Sequence, residues 1–136
     1  MVDDNEHGLI ARKNVLKQQG FDSVTATSAE AGLDLLFTRH FDLVVTDYKM
    51  GGMDGIKFIA HLRQRCPETP VILLSGFVDA LGLDELSTGA DAVLSKCATE
   101  ASSLVRTVNR LLTRRPSRKP ISKEMRAKAL AARNVG

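Results

Sequence analysis

Four positions in this 136-residue chain carry side chains suited to phosphoryl chemistry: the acidic pair Asp3–Asp4, Asp47 at the end of FDLVVTD, Ser75 at the end of VILLS, and Lys96 in DAVLSK. Two adjacent carboxylates repel each other, and burying them is costly unless a cation is present. Mg²⁺ takes oxygen ligands and keeps several of its waters, so one or two carboxylates plus a phosphate oxygen suit it. The expected arrangement has Asp4 and Asp47 as direct ligands, Asp3 acting through water, and the backbone carbonyl of Lys49 completing the protein's share. Asp47 is also the natural nucleophile, because a carboxylate can attack phosphorus to give an acyl phosphate. The loose transition state needs charge neutralisation and positioning. Lys96 offers a second cation, and the Ser75 hydroxyl can bond a phosphoryl oxygen.

Each of these residues stands where an apolar, strand-like run gives way to a turn or helix. In an open parallel sheet the strand C-terminal ends share one edge, and ligands bind in the crevice outside it. The sequence reads as alternating helix and strand. Helical periodicity over Leu9, Ile10, Lys13, Leu16 and Lys17 ends at Gly20, a C-cap glycine. Phe21–Ala26 reads as a short strand. Thr27 or Ser28 caps a helix with Leu33, Leu36 and Phe37 inward. FDLVVTD and VILLS are continuous runs of the kind buried on both faces. Between them, after the loop MGGMDG, Gly55–Arg65 is a helix with Ile56, Ile59 and Leu62 inward. A weaker helix over Asp79–Ser87, a short strand over Asp91–Ser95 and a strong helix over Thr99–Leu112 follow. This alternation predicts an α/β parallel sheet with helices on both faces.

The first strand is short. Asp3–Asp4 should close a strand of about five residues, yet only Met1 and Val2 precede them. Either the start as written falls too late or a central strand is curtailed, and the chain should be less stable for it.

Composition narrows the class. Apolar content of 43% and charged content of 26% are those of a globular chain. The sequence has no signal peptide and no membrane span, so a cytoplasmic location is expected, with Cys66 and Cys97 as thiols. The net charge of +3 is unevenly spread: residues 1–112 hold 11 Lys/Arg against 15 Asp/Glu, and the last 24 hold eight against one. Pro116 and Pro120 bracket a linker in that tail, and Ser122–Asn134 could form a short basic helix. Its charge could contact nucleic acid, but it has no aromatics for base stacking and is too short for a helix-turn-helix domain. A solvated extension is the preferred reading.

The stretches VDDN, FDLVVTDYKMGGMDG, VILLSG and GADAVLSK resemble the signature segments of bacterial response-regulator receiver domains, over residues 2–112. They occur in the family's order, with 43, 28 and 21 residues separating Asp4, Asp47, Ser75 and Lys96 in turn. The resemblance implies a flavodoxin-like (βα)5 doubly wound sheet in strand order 2-1-3-4-5, here with its first strand truncated. It implies Asp47 as phosphoacceptor, Asp3 and Asp4 as the metal pair, Ser75 as switch hydroxyl and Lys96 as the phosphate-pairing lysine. A receiver over residues 1–112 and a tail over 113–136 follow.

Three departures stand out. Cys97 replaces the proline usual after the lysine, Val93 replaces the switch aromatic, and Gly51 replaces a proline, loosening the loop beside Asp47. Phe77, just past Ser75, could shield an acyl phosphate from water or belong to the core. The leading expectation is a stand-alone receiver, not itself an enzyme, that takes a phosphoryl group from a histidine kinase or phosphotransfer protein. An output protein would read it over the Asp79–Leu112 face. The alternatives are a degenerate receiver acting as a constitutive scaffold, and a metal-dependent phosphohydrolase. The last lacks an acid after Asp47, because Lys49 occupies that place.

Overall fold

The computed structural model describes residues 1–76 and 78–114. The elements run α1 (Glu6–Gln18), α2 (Ala29–Thr38), β1 (Val44–Asp47), α3 (Gly55–Arg65), β2 (Val71–Ser75), α4 (Val78–Leu81), α5 (Glu85–Thr88), β3 (Ala92–Ser95) and α6 (Glu100–Arg114). The three strands form a parallel sheet in the order β1-β2-β3, with Val44 opposite Val71 and Ile72 opposite Ala92.

Two further segments join that sheet through single residues. Val2 bridges to Thr46 on one side and to Ala26 on the other, both in parallel. Val2 donates to the Val45 carbonyl at 2.8 Å and accepts from the Asp47 N–H at 2.9 Å, while Asp3 donates to the Ala26 carbonyl at 3.1 Å. Across the sheet the sequence therefore runs Ala26, Val2, β1, β2, β3, which is the expected 2-1-3-4-5 order. The expected strand over Phe21–Ala26 is not formed; only Ala26 pairs. Backbone bonds still hold the end of this segment: the Ala26 N–H donates to the Met1 carbonyl at 2.9 Å, and the Met1 ammonium donates to the Val24 carbonyl at 2.8 Å.

Successive strand residues point to opposite faces, and both faces are covered. Val44, Val71 and Leu73 pack with Leu33 of α2 and with Phe58, Ile59 and Leu62 of α3. Val45, Ile72 and Leu74 pack with Leu16 of α1 and Leu104, Val108 and Leu111 of α6. This two-sided burial is why these strands read as continuous apolar runs.

The helix ends follow local chemistry. Asn5, Ser28 and Asp54 accept from the N–H three residues on, at 3.1, 3.1 and 2.9 Å, and so cap α1, α2 and α3. Gly20 takes a left-handed φ of 86° after α1. The N–H groups of Gly20 and Phe21 return to Lys17 and Leu16 at 3.0 Å each, the two bonds of a Schellman turn.

Some expected inward positions differ. In α3, Phe58 is fully buried and Ile56 only half-buried, because Gly55 sits against the Asp47 carbonyl and fixes the helix phase. Phe37 is 46% exposed, its ring covered by the Arg65 guanidinium at 4.0 Å. The helix expected over Asp79–Ser87 is two short ones, parted by Gly82 at a φ of 62° and recapped by Asp84. Phe77 and the linker and basic helix expected beyond Arg114 lie outside the described residues. No described helix is long and apolar enough to cross a membrane.

Candidate functional site

The C-terminal ends of the strands bring the chemistry-bearing residues together. Asp47 ends β1, Ser75 ends β2, Lys96 follows β3, and Asp3–Asp4 follow the bridging Val2. The β2–β3 register sets Ser75 opposite Ser95, and the Lys96 N–H donates to the Ser75 carbonyl at 2.9 Å. Asp3, Asp4, Asp47, Lys49, Ser75 and Lys96 line one cavity of about 240 Å³, with Asn5 and Gly76 at its edge. Lys49 stands at its exposed rim and Ser75 is buried.

The two adjacent aspartates are held in different ways. Asp3 is buried. Its Oδ1 accepts from the Asn5 N–H at 3.0 Å, and its Oδ2 accepts from Arg12 Nη1 at 2.8 Å with Lys96 Nζ 3.6 Å away. Burial works to raise the Asp3 pKa, but the Asn5 N–H, Arg12 and Lys96 together outweigh it and hold the group below its ordinary value. Asp4 is exposed, and its Oδ2 accepts from the Gly51 N–H at 3.1 Å. A proline at position 51 would have no N–H to give, so this bond from the loop to Asp4 is one that Gly51 makes available.

Asp47 is buried and sits 2.6 Å from Lys96 Nζ. Burial, with the Asp3 carboxylate adding to it, pushes the Asp47 pKa up, against the pull of Lys96 and Arg12. One carboxylate oxygen from each of Asp3, Asp4 and Asp47 lies within 4.8 Å of the others. An all-oxygen, all-anionic donor set of this size fits a hard divalent cation of the Mg²⁺ type. The lysine ammonium already drawn between Asp47 and Asp3 shows how strongly the seat attracts positive charge. A carboxylate nucleophile, a hydroxyl, an ammonium and a cation seat around one open cavity are the parts that phosphoryl transfer uses.

Arg12 and its partner Glu100 are the residues that sequence reasoning missed. Arg12 bridges Asp3 and Glu100, 9 and 88 residues away along the chain. One local signal exists: Gly8 precedes Arg12 by one helical turn, and a Cβ there would lie 3.1 Å from Arg12 Nη1 and 3.5 Å from Asp3 Oδ2. The glycine makes the passage through which the guanidinium reaches the pocket. Val93, at the place of the missing switch aromatic, packs partly buried against the α2–α3 side of the core.

Comparison with known proteins agrees with this geometry. The chain is 33% identical over 106 residues to a protein-glutamate methylesterase/protein-glutamine glutaminase of Natronomonas pharaonis, covering 75% of this chain and 30% of that protein. It is 35% identical over 77 residues to the response regulator protein FleR of Pseudomonas aeruginosa, covering 57% of this chain and 16% of that one. The chain thus spans less than a third of the length of these relatives. Among solved structures, a Francisella response-regulator receiver domain superposes with a TM-score of 0.76 at 31% identity, covering 83% of this chain and 93% of that one. The response regulator TrrA of Thermotoga maritima, solved in complex with Mg²⁺ and BeF, superposes with a TM-score of 0.72 at 27% identity, covering 81% and 94%. Phosphorylation-based signalling is the general role of receiver domains, which bind Mg²⁺ at an acidic pocket. The family model for the response regulator receiver domain matches residues 1–109, and the chain belongs to that family.

Proposed function

We propose that this domain accepts a phosphoryl group on Asp47 from a histidine kinase or phosphotransfer protein, in an Mg²⁺-dependent reaction. The observation that carries the reading is the 2.6 Å contact between the buried Asp47 carboxylate and Lys96 inside a cavity whose other wall is the Asp3–Asp4 pair. Asp47 Oδ attacks phosphorus as the bond to the donor imidazole nitrogen breaks, and that nitrogen keeps the electron pair. Lys96 Nζ moves from the carboxylate to a phosphoryl oxygen, and the Ser75 hydroxyl donates to another. Asp4, Asp47 and the Lys49 carbonyl would hold Mg²⁺, with Asp3 acting through water. When bound, the ion supplies charge neutralisation at the transferred group. Water attack on phosphorus later returns Asp47 to the free carboxylate.

In this reading residues 1–112 are a receiver in the cytoplasm and 113–136 a basic tail. The partner-facing surface runs over Asp79–Leu112. Incubation with acetyl phosphate and Mg²⁺, followed by a phosphate-retention gel, tests it: a retarded band that disappears in Asp47→Asn is expected. A wild-type chain that gives no Asp47-dependent band refutes it.

Val93 favours a second reading, a receiver that binds its partner whether or not it is phosphorylated, since no ring stands there to change place. Partner binding unchanged in Asp47→Asn would support that reading over the first.

A further inference from the structure

Arg12 is a third cation at the pocket, and it has two masters. Nη1 donates to Asp3 Oδ2 at 2.8 Å, while Nε and Nη2 donate to Glu100 Oε1 at 3.1 and 3.0 Å. The Arg12 side chain is only 12% exposed, Asp3 2% and Glu100 23%. α1 supplies the arginine and the first residue of α6 supplies the glutamate, so one planar group links the pocket to a helix of the outer layer. A guanidinium holds two carboxylates at once because its donors form a rigid fork.

Charge decides what this link does. A divalent cation is held by the carboxylate charge around it, and Asp3 already shares its charge with Arg12 and Lys96. An Asp3 oxygen that accepts from Arg12 is less able to accept from a metal-bound water. Glu100 acts in the opposite sense, since it partly neutralises Arg12 and offers it another place to bond.

We propose that Arg12 is a positioning residue that competes with the divalent cation for Asp3, with Glu100 as its alternative partner, so that metal binding is coupled to α6. The proposal rests on the Mg²⁺-dependent reading above. As Asp3 turns to the metal's water shell, Arg12 is left to Glu100 and the contact at the start of α6 tightens. Coupling of this kind is reciprocal. A partner that engages Glu100 sends Arg12 back onto Asp3 and weakens the metal. The domain thereby has a path from pocket to surface that does not pass through position 93.

The test is a titration of the ¹⁵N-labelled full chain with MgCl₂, followed by ¹H–¹⁵N spectra. The amides of Asp4 and Gly51 report the pocket, the Arg12 Nε–H reports the fork, and the amides of Glu100–Ser103 report α6. Arg12→Gln is expected to bind Mg²⁺ roughly five- to tenfold more tightly, and Glu100→Gln to bind it more weakly by a similar factor. In the wild type the α6 amides move along the same binding curve as the pocket amides. In both variants they stop responding while the pocket amides still titrate. Arg12→Lys keeps the charge and loses the fork, so it holds near-wild-type affinity with no α6 response.

A purely structural Arg12 predicts that both glutamine variants lose affinity together. That result, or α6 amides that still follow Mg²⁺ in Arg12→Gln, overturns the proposal. Glu100 lies at a helix start and is partly exposed, so its variant remains informative if Arg12→Gln folds poorly. A wild type whose Asp4 and Gly51 amides ignore Mg²⁺ refutes the metal reading and this proposal with it. The α6 outcomes refute the proposal alone.

Discussion

The amine of Met1 lies at the middle of the sheet, and burying it should write a signature into the pH dependence of stability. Its ammonium donates to the Val24 carbonyl at 2.8 Å. Burial first, and the charge of Lys13 second, lowers its pKa from an ordinary 8.0 to about 6. Below about pH 6 the group is charged in both folded and unfolded chains, and the folded state carries the full cost of burying it. Between about 6 and 8 the unfolded chain binds more protons than the folded one, so stability rises with pH; above about 8 both are neutral and the effect is complete. Two units of pKa correspond to about 2.7 kcal/mol. The space beside Met1 is lined by Val24, Phe41 and Leu43, with Val45, Asp22, Arg39 and Asp42 also bordering its larger cavity. The ladder set by the bonds of Val2 with Val45 and Asp47 leaves the Val45 N–H and Leu43 carbonyl facing it.

A chain extended by three apolar residues ahead of Met1 removes the buried ammonium and offers those backbone groups partners. Urea unfolding at pH 5.5 and 8.5 measures the difference, with the N-terminus of each chain verified by mass. The quantity of interest is the difference between the pH dependences of the two chains, in which the groups they share cancel. The chain beginning at Met1 should lose about 2–3 kcal/mol more on going from pH 8.5 to 5.5 than the extended chain does. The extended chain should also be the more stable at pH 8.5. Equal pH dependence in the two chains would refute the burial argument, and an extension that destabilises at both pH values would refute the strand geometry.

Two substitutions probe the loop between β1 and α3. Gly55→Ala places a Cβ 2.8 Å from Leu73 Cδ1 and 2.9 Å from Tyr48 Cα, closer still to the Asp47 carbonyl; a loss of about 2–4 kcal/mol in urea unfolding is expected, and a loss under 0.5 kcal/mol would contradict the packing. Gly51→Pro deletes the N–H that Asp4 accepts, and removal of a hydrogen bond to a charged group, about 1.5 kcal/mol, should weaken Mg²⁺ roughly tenfold by calorimetry. Gly51→Ala keeps the N–H, with nothing nearer its Cβ than Asp4 Oδ2 at 4.0 Å, and should bind within about twofold of wild type.

What was legible in the sequence was whatever rests on local chemistry. β1 and β2 are apolar runs buried on both sides, and the Schellman turn at Gly20 and the cap at Ser28 depend only on neighbouring residues. The segment Phe21–Ala26 reads as a strand from its own pattern, but a strand exists only against a partner, and there a single bridge forms, between Ala26 and Val2. The inward set Ile56, Ile59 and Leu62 leaves out Phe58 because periodicity alone cannot set the phase of a helix; the contact of Gly55 with β1 does that. The strand-end residues were legible because parallel topology gathers strand ends at one edge. Arg12–Glu100 was not, since nothing in a sequence says which turn of α1 crosses the start of α6.

The chain solves the problem of adjacent carboxylates by separating them. Successive residues leaving a strand point in opposite directions, so Asp3 enters the protein while Asp4 faces the loop after β1. Buried, Asp3 must have positive partners whether or not a metal is present, and Arg12, Lys96 and the Asn5 N–H meet that need. Asp4, in water, needs only direction, which the Gly51 N–H gives. The acidic pair therefore does not depend on the bridges of Val2 alone: an arginine from α1, a lysine after β3 and a glycine amide after β1 hold the two carboxylates in place. The consequence is a pocket in which Arg12 and Lys96 already offset much of the carboxylate charge, and on the proposal above it is the contest for Asp3 that a cation must win.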